Sequence, residues 1–133
     1  MDIKTNQEAE KLILTLPLPP SLNDYYGHRA VTDGYMVKYV KHRGKTFQKQ
    51  VNEYVELNNF NIQANVPLKV TVVLNFQSKR RTDLDNRMKP LLDSLTEAQV
   101  WEDDSLIDDL HIYRGFIQKP GSCIVTIEEF LQD

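Results

Sequence analysis

The spacing of apolar residues changes along the chain, and each change of period marks an element. Residues 12–16, LILTL, are a short apolar run closed by Pro17 and predict a first strand. Residues 35–40, YMVKYV, alternate, with Asp33-Gly34 and Arg43-Gly44 punctuating the ends, and predict a second. From Thr46 to about Asn59 the period lengthens. Phe47, Val51, Tyr54, Val55 and Asn58 recur at three and four, while Gln48, Lys49, Asn52, Glu53 and Glu56 face away. That pattern predicts a helix weakly capped by Thr46. Residues 68–76, LKVTVVLNF, form the clearest strand, with Leu68, Val70, Val72 and Leu74 on one face. A second helix is predicted from Asp85 to Thr96, with Met88, Leu91, Leu92 and Leu95 on its apolar stripe. Asp85 suits its N-cap and Leu84 the staple beneath it. Pro90 cannot donate to the carbonyl of Asn86, so this helix either starts late or opens with a bent turn. Trp101 is expected to anchor the link that follows. Strands are predicted at 106–113 and 122–130, with a turn at Lys119-Pro120-Gly121 between them.

The stretches between these elements are polar. Residues 1–10 are expected to fray. Residues 17–29, PLPPSLNDYYGHR, read as a proline-stiffened loop carrying Tyr25, Tyr26, His28 and Arg29. Such a loop either lies against sugar and phosphate or packs rigidly on the core, and the residues admit both. The whole is an α/β (α+β) pattern, strands around two principal helices, sized for a single domain over 1–133.

Composition narrows the setting. Apolar residues make up 41% of the chain, enough for one core without covalent staples. A lone cysteine, Cys123, excludes an internal disulfide and fits a reducing compartment, so a cytoplasmic protein is expected. No apolar run approaches the ~20 residues of a membrane span, and no signal peptide is visible. The net charge of -3 argues against a nucleic-acid binder, but its distribution argues the other way. Lys38, Lys41, Arg43, Lys45, Lys79, Arg80, Arg81, Arg87 and Lys89 precede most of the acids, which collect at Glu102, Asp103, Asp104, Asp108 and Asp109. This segregation fits a basic face for an anionic partner beside an acidic pocket, or equally a solvated surface with no partner.

The chain has no CxxC, HExxH or Walker motif. Cys123 sits within a strand, and His28, His42 and His111 are scattered. The carboxylates are more informative. If residues 83–85 are extended, Asp83 and Asp85 fall on one side. Oxygen clusters of this kind bind Mg²⁺ or Mn²⁺, which activate water and stabilise charge on a phosphodiester. Asp103 or Asp104 is the candidate third ligand. Lys89, four residues from both Asp85 and Asp93, would share their helix face and offset phosphate charge. The competing reading makes DLD a helix start and EDD a solvated loop.

The combination LPLPPSLNDYY, RRTDLDNRMKPLLDSL and VWEDDSLIDDLHIYR resembles the RusA family of Holliday junction resolvases, often carried by prophages. The likeness covers most of the chain after residue 12. It implies a homodimeric Mg²⁺-dependent endonuclease (Mn²⁺ a possible substitute) that cuts branched DNA, especially four-way junctions, leaving 5′-phosphate and 3′-hydroxyl ends. By that likeness Asp83, Asp85 and Asp104 are the catalytic, metal-holding carboxylates and Lys89 the active-site lysine. Asn86, Asp93 and Asp103 are the expected supporting residues. Lys79, Arg80 and Arg81 meet DNA, as do Asn23, Tyr25 and Tyr26 of the PPSxNxxY signature. Lys41, Arg43 and Lys45 are further backbone contacts. Residues 27–45 look longer than the corresponding segment of smaller members, and the chain is more acidic than they are. A non-catalytic DNA-binding or phage structural protein on the same scaffold is the alternative.

Overall fold

The computed structural model describes residues 11–131, so the expectation for residues 1–10 lies outside the described residues. The elements run β1 (Lys11–Leu16), a one-turn α1 (Leu22–Tyr25), β2 (Tyr26–Ala30), β3 (Met36–Val40), α2 (His42–Leu57), β4 (Leu68–Asn75), α3 (Met88–Glu97), β5 (Ile107–Arg114) and β6 (Ser122–Glu129). A four-stranded sheet has the order β1-β6-β4-β5, and β2 and β3 form a separate hairpin. The β4–β5 pair is parallel, with α3 in the connection; β1–β6 and β6–β4 are antiparallel. A parallel pair needs such a crossover, because no tight turn returns the chain to the same end. The mixed α/β fold with two principal helices is the class the periodicity predicts.

One face of the sheet carries the core. Leu12, Leu14, Leu16, Leu68, Val70, Val72, Leu74, Cys123, Val125 and Ile127 are buried, matching the two-residue alternation of β1, β4 and β6. The stripes Phe47-Val51-Val55 of α2 and Met88-Leu91-Leu95 of α3 are buried in the same core. Each such leucine contributes about 1.5–3 kcal/mol by leaving water. Burial also pushes the Cys123 thiol up to about 12, so it is an inert core residue. Trp101 is buried, donates from Nε1 to Thr96 Oγ1 at 2.7 Å, and bridges backbone-to-backbone with Ala64, which fixes the exit from α3.

Three expectations need correction. Tyr26–Ala30 pairs with β3 as a hairpin rather than remaining a loop. Helix α2 starts at His42, four residues before Thr46. Gly44, read as a breaker, lies inside its first turn because a Cβ there would meet the Tyr25 carbonyl oxygen at 2.8 Å and Val40 Cγ1 at 2.6 Å. Asp85 does not cap α3: residues Asp85–Arg87 make a 3₁₀ turn with no side-chain cap, and α3 begins at Met88. Pro90 then falls in the first turn, where backbone donors have no intrahelical partner, so its missing N–H costs nothing.

Candidate functional site

The segment from β4 to α3 has no regular backbone until the 3₁₀ turn. Leu84 is in the right-handed helical region (φ -64, ψ -43), so residues 83–85 turn rather than extend. The turn still achieves what extension was expected to do. Leu84 packs against the core, and Asp83 and Asp85 are exposed on either side of it. Both line one open cavity of about 630 Å³ with Arg81, Thr82, Ile112 and Arg114.

Arg114 had no assigned role, yet it organises this cavity. It ends β5 opposite Leu74 of β4, beside the start of the carboxylate segment. Its guanidinium donates to the Thr82 carbonyl at 2.6 Å and sits 4.9 Å from the Phe76 ring centroid. The backbone entering Asp83 is thereby tied to the sheet. The signal was available only through topology, because a parallel β4–β5 pair puts both strand ends at the same edge. Arg87 similarly donates to the Pro19 carbonyl at 2.6 Å, binding the 3₁₀ turn to the early proline segment. Burial lowers its pKa, with Asp24 opposing, but a guanidinium stays charged.

Asp104 lines another cavity, of about 350 Å³, with Asp103, Asp93, Glu97, Tyr26 and Gln48. Here Asp93 is paired. Lys89 Nζ lies 3.0 Å from Asp93 Oδ2, and the Tyr26 hydroxyl donates a very short hydrogen bond to the same oxygen. Lys38 Nζ stands 3.9 Å from the Tyr26 ring centroid and Lys89 5.8 Å. Burial first, then the bond to Asp93, raises the Tyr26 pKa, so the phenol stays protonated. Lys89 pairs with Asp93 one turn on along α3, as expected, while Asp85 precedes that helix in the 3₁₀ turn. Asp103 accepts from Ser105 Oγ at 2.5 Å. Asn86 is half-buried in the 3₁₀ turn.

The expected DNA contacts divide. Lys79, Arg80 and Arg81 are exposed after β4. Asn23 is exposed and its carbonyl accepts from Lys41 Nζ at 2.8 Å; Arg43 pairs with Asp24 at 3.3 Å; Lys45 is exposed. Tyr25, by contrast, is fully buried, its hydroxyl 3.0 Å from Ser94 Oγ and 2.6 Å from the Gln48 amide that donates to it. It packs the α1–α2–α3 junction and has no surface to offer DNA. For this residue the rigid-loop reading is the one that holds. Arg29, 5.6 Å from the Tyr39 ring centroid, and Lys38, beside the Tyr26 ring, add cations on the hairpin.

A divalent cation fits part of this arrangement. Among the described residues the ion pairs are Arg43–Asp24, Lys89–Asp93 and His111–Asp109, so Asp83 and Asp85 present uncommitted oxygens to one cavity. Mg²⁺ commonly takes one or two carboxylates and completes its shell with water and substrate phosphate. Among the described residues no group of three His, Cys, Asp or Glu side chains is placed to hold a metal ion. No helix among the described residues is long and apolar enough to cross a membrane.

Comparison with known proteins agrees with the motif. The family model for Endodeoxyribonuclease RusA matches residues 17–128. The crossover junction endodeoxyribonuclease rusA of Enterobacteria phage HK97 is 36% identical over 106 residues, covering 80% of this chain and 83% of that protein. The crossover junction endodeoxyribonuclease RusA of Escherichia coli K12 is 31% identical over 116 residues, 87% of this chain and 92% of that protein. Its Shigella sonnei counterpart is 30% identical over the same length.

Proposed function

The chain belongs to the RusA endodeoxyribonuclease family, and on that footing we propose that it is a cytoplasmic, homodimeric, Mg²⁺-dependent endonuclease that resolves four-way DNA junctions. The observation that carries the reading is the pair of uncommitted carboxylates, Asp83 and Asp85, on one cavity edged by Arg81 and Arg114. A bound metal supplies Lewis acidity and an activated water at that cavity. Asp83 and Asp85 would hold it there. Arg81 and Arg114 neutralise charge on the phosphate brought to it, and the Arg114–Thr82 bond keeps the carboxylate segment from drifting. Lys79 and Arg80 contact the neighbouring backbone, and Lys41, Arg43 and Lys45 hold a more distant stretch.

Asp104 is the third carboxylate the resemblance supplies. It lines the cavity that Asp93, the partner of Lys89, also lines, and would act on the same phosphate from that side. Lys89, held by Asp93 and Tyr26, then delivers an ammonium to the transferring phosphate. The residues act as one domain, and the dimer presents two such sites to the two equivalent strands of a junction.

Asp104 lines a different cavity from Asp83 and Asp85, which favours one competing reading, a DNA-binding protein that does not cut. Incubation of a labelled four-way junction with the protein, with Mg²⁺ and with chelator, distinguishes them. Metal-dependent paired nicks leaving 5′-phosphate ends support the nuclease. Binding without cleavage supports the alternative.

A further inference from the structure

A second cavity, of about 420 Å³, adjoins the paired carboxylates: Arg81 and Arg114 line both. Its buried floor is Phe76, its apolar wall Phe116 and Ile117, and its remaining lining includes Lys79 and Arg80. Among the described residues no carboxylate lines it. Phe116 and Ile117 are 70% and 49% exposed, so two adjacent large apolar side chains face water. They are not on a slack loop. Gly115 N–H donates to the Leu74 carbonyl and Gln118 N–H to the Phe76 carbonyl, both at 2.8 Å. Gly115 is required for that closure, because a Cβ there would lie 2.0 Å from Asn75 Oδ1. The fold thus holds two apolar side chains in water beside four cations.

An occupant must satisfy both features. A solvated surface needs no exposed phenylalanine, and an apolar protein segment leaves the cations unmatched. A nucleotide has a π-face for the one and a phosphate for the other, and sites for unpaired strands combine these same elements. We propose that this cavity takes one unstacked nucleotide of branched DNA beside the phosphodiester cut at Asp83 and Asp85. The base lies against Phe116 and Ile117, and its phosphate meets Arg80 and Arg114. The assignment rests on the nuclease reading for the position of the cut, and it adds a structural reason for choosing a branch point over a continuous duplex. Paired and stacked bases cannot reach the wall, whereas bases at an exchange point unstack at lower cost.

The test uses four-way junctions carrying 2-aminopurine at successive nucleotides around the branch point, bound by the full chain without metal so that no cleavage is needed. At saturation a several-fold rise in fluorescence is expected at one or two positions. Phe116→Ala loses that rise and binds the junction about 10-fold more weakly, while Phe116→Tyr keeps it. Since Phe116 is exposed, neither change disturbs the core. The proposal is overturned if no position changes, if the junction is not bound, or if Phe116→Ala gives the wild-type signal. Adding Mg²⁺ afterwards separates the two claims: a Phe116-dependent rise without cleavage overturns the nuclease reading alone and supports the nucleotide pocket.

Discussion

The two acidic cavities are built on opposite plans. At the end of β4, Asp83 and Asp85 project from an irregular turn, exposed and in no ion pair among the described residues, with Arg114 and Arg81 at the edge of their cavity. Beside α3, Asp93, Lys89 and Tyr26 are already joined to one another on regular structure. A carboxylate that has its cation gains little from a second. The pairing sets Asp93 apart from Asp83 and Asp85, while Asp103, Asp104 and Glu97 of the second cavity are in no ion pair among the described residues; the proposed reading places the metal at the first cavity, and that choice is open to experiment.

The largest effect is expected from removing carboxylate charge at each cavity. Asp85→Asn and Asp104→Asn should each lower junction cleavage by about 10³-fold or more, equivalent to roughly 4 kcal/mol of barrier. Only Asp85→Asn should weaken Mg²⁺ binding to the DNA-free protein, measured calorimetrically, because Asp104 faces the other cavity. Equal loss of metal binding in both variants would break the distinction.

Lys89 comes next. If its ammonium reaches the transferring phosphate, Lys89→Ala should slow single-turnover cleavage by ~100-fold, about 2.7 kcal/mol. Lys89→Arg should restore part of the rate, since it keeps the charge but not the compact geometry. If the lysine only neutralises Asp93, its loss should cost ~0.2–0.5 kcal/mol of stability and leave turnover intact.

How much of this was readable follows from what kind of signal each residue gives. DLDN and W-x-DD are contiguous strings, so the carboxylates could be named before any coordinates. The alternation of β4 and β6 and the stripes of α2 and α3 are equally local, and their buried faces match. The hairpin strand β2 was missed because Tyr26–Ala30 has little to bury, with only Gly27 enclosed and three exposed residues at its end. The true start of α2 was missed because a glycine usually marks a break, whereas Gly44 serves a close approach to Tyr25. Arg114 and the Phe116 wall have no periodic context at all. Their roles exist only because β5 runs parallel to β4 and ends beside it. That Asp83 and Asp104 line different cavities is likewise a property of three dimensions.

A smaller effect concerns the approach to the first cavity. Replacing Arg80 and Arg81 by alanine together should reduce the salt slope of junction binding by about two units, one for each lost phosphate contact. An unchanged slope would return them to solvated surface. The smallest effect belongs to the second cavity. Folded Tyr26 has a raised pKa, while in the unfolded chain it titrates near 10.0. Below that pH both states hold the proton and its protonation adds no pH dependence. As pH rises beyond it the unfolded state loses the proton first, so stability falls toward the folded pKa. Thermal melts from neutral pH to about pH 11 should therefore decline less steeply for Tyr26→Phe than for the wild type. Equal declines would show that burial and the bond to Asp93 do not raise the phenol's pKa.

The claim on which the rest depends is that the uncommitted pair at the end of β4 is the metal-dependent cutting site. One labelled four-way junction, offered to wild-type protein and to Asp83→Asn at saturating Mg²⁺ and in chelator, tests it with gel shift and cleavage read from the same samples. The account predicts that both proteins bind the junction with similar affinity, that the wild type cuts only with Mg²⁺, and that Asp83→Asn does not cut in either condition. Cleavage by Asp83→Asn at the wild-type rate, or cleavage by the wild type in chelator, would contradict it.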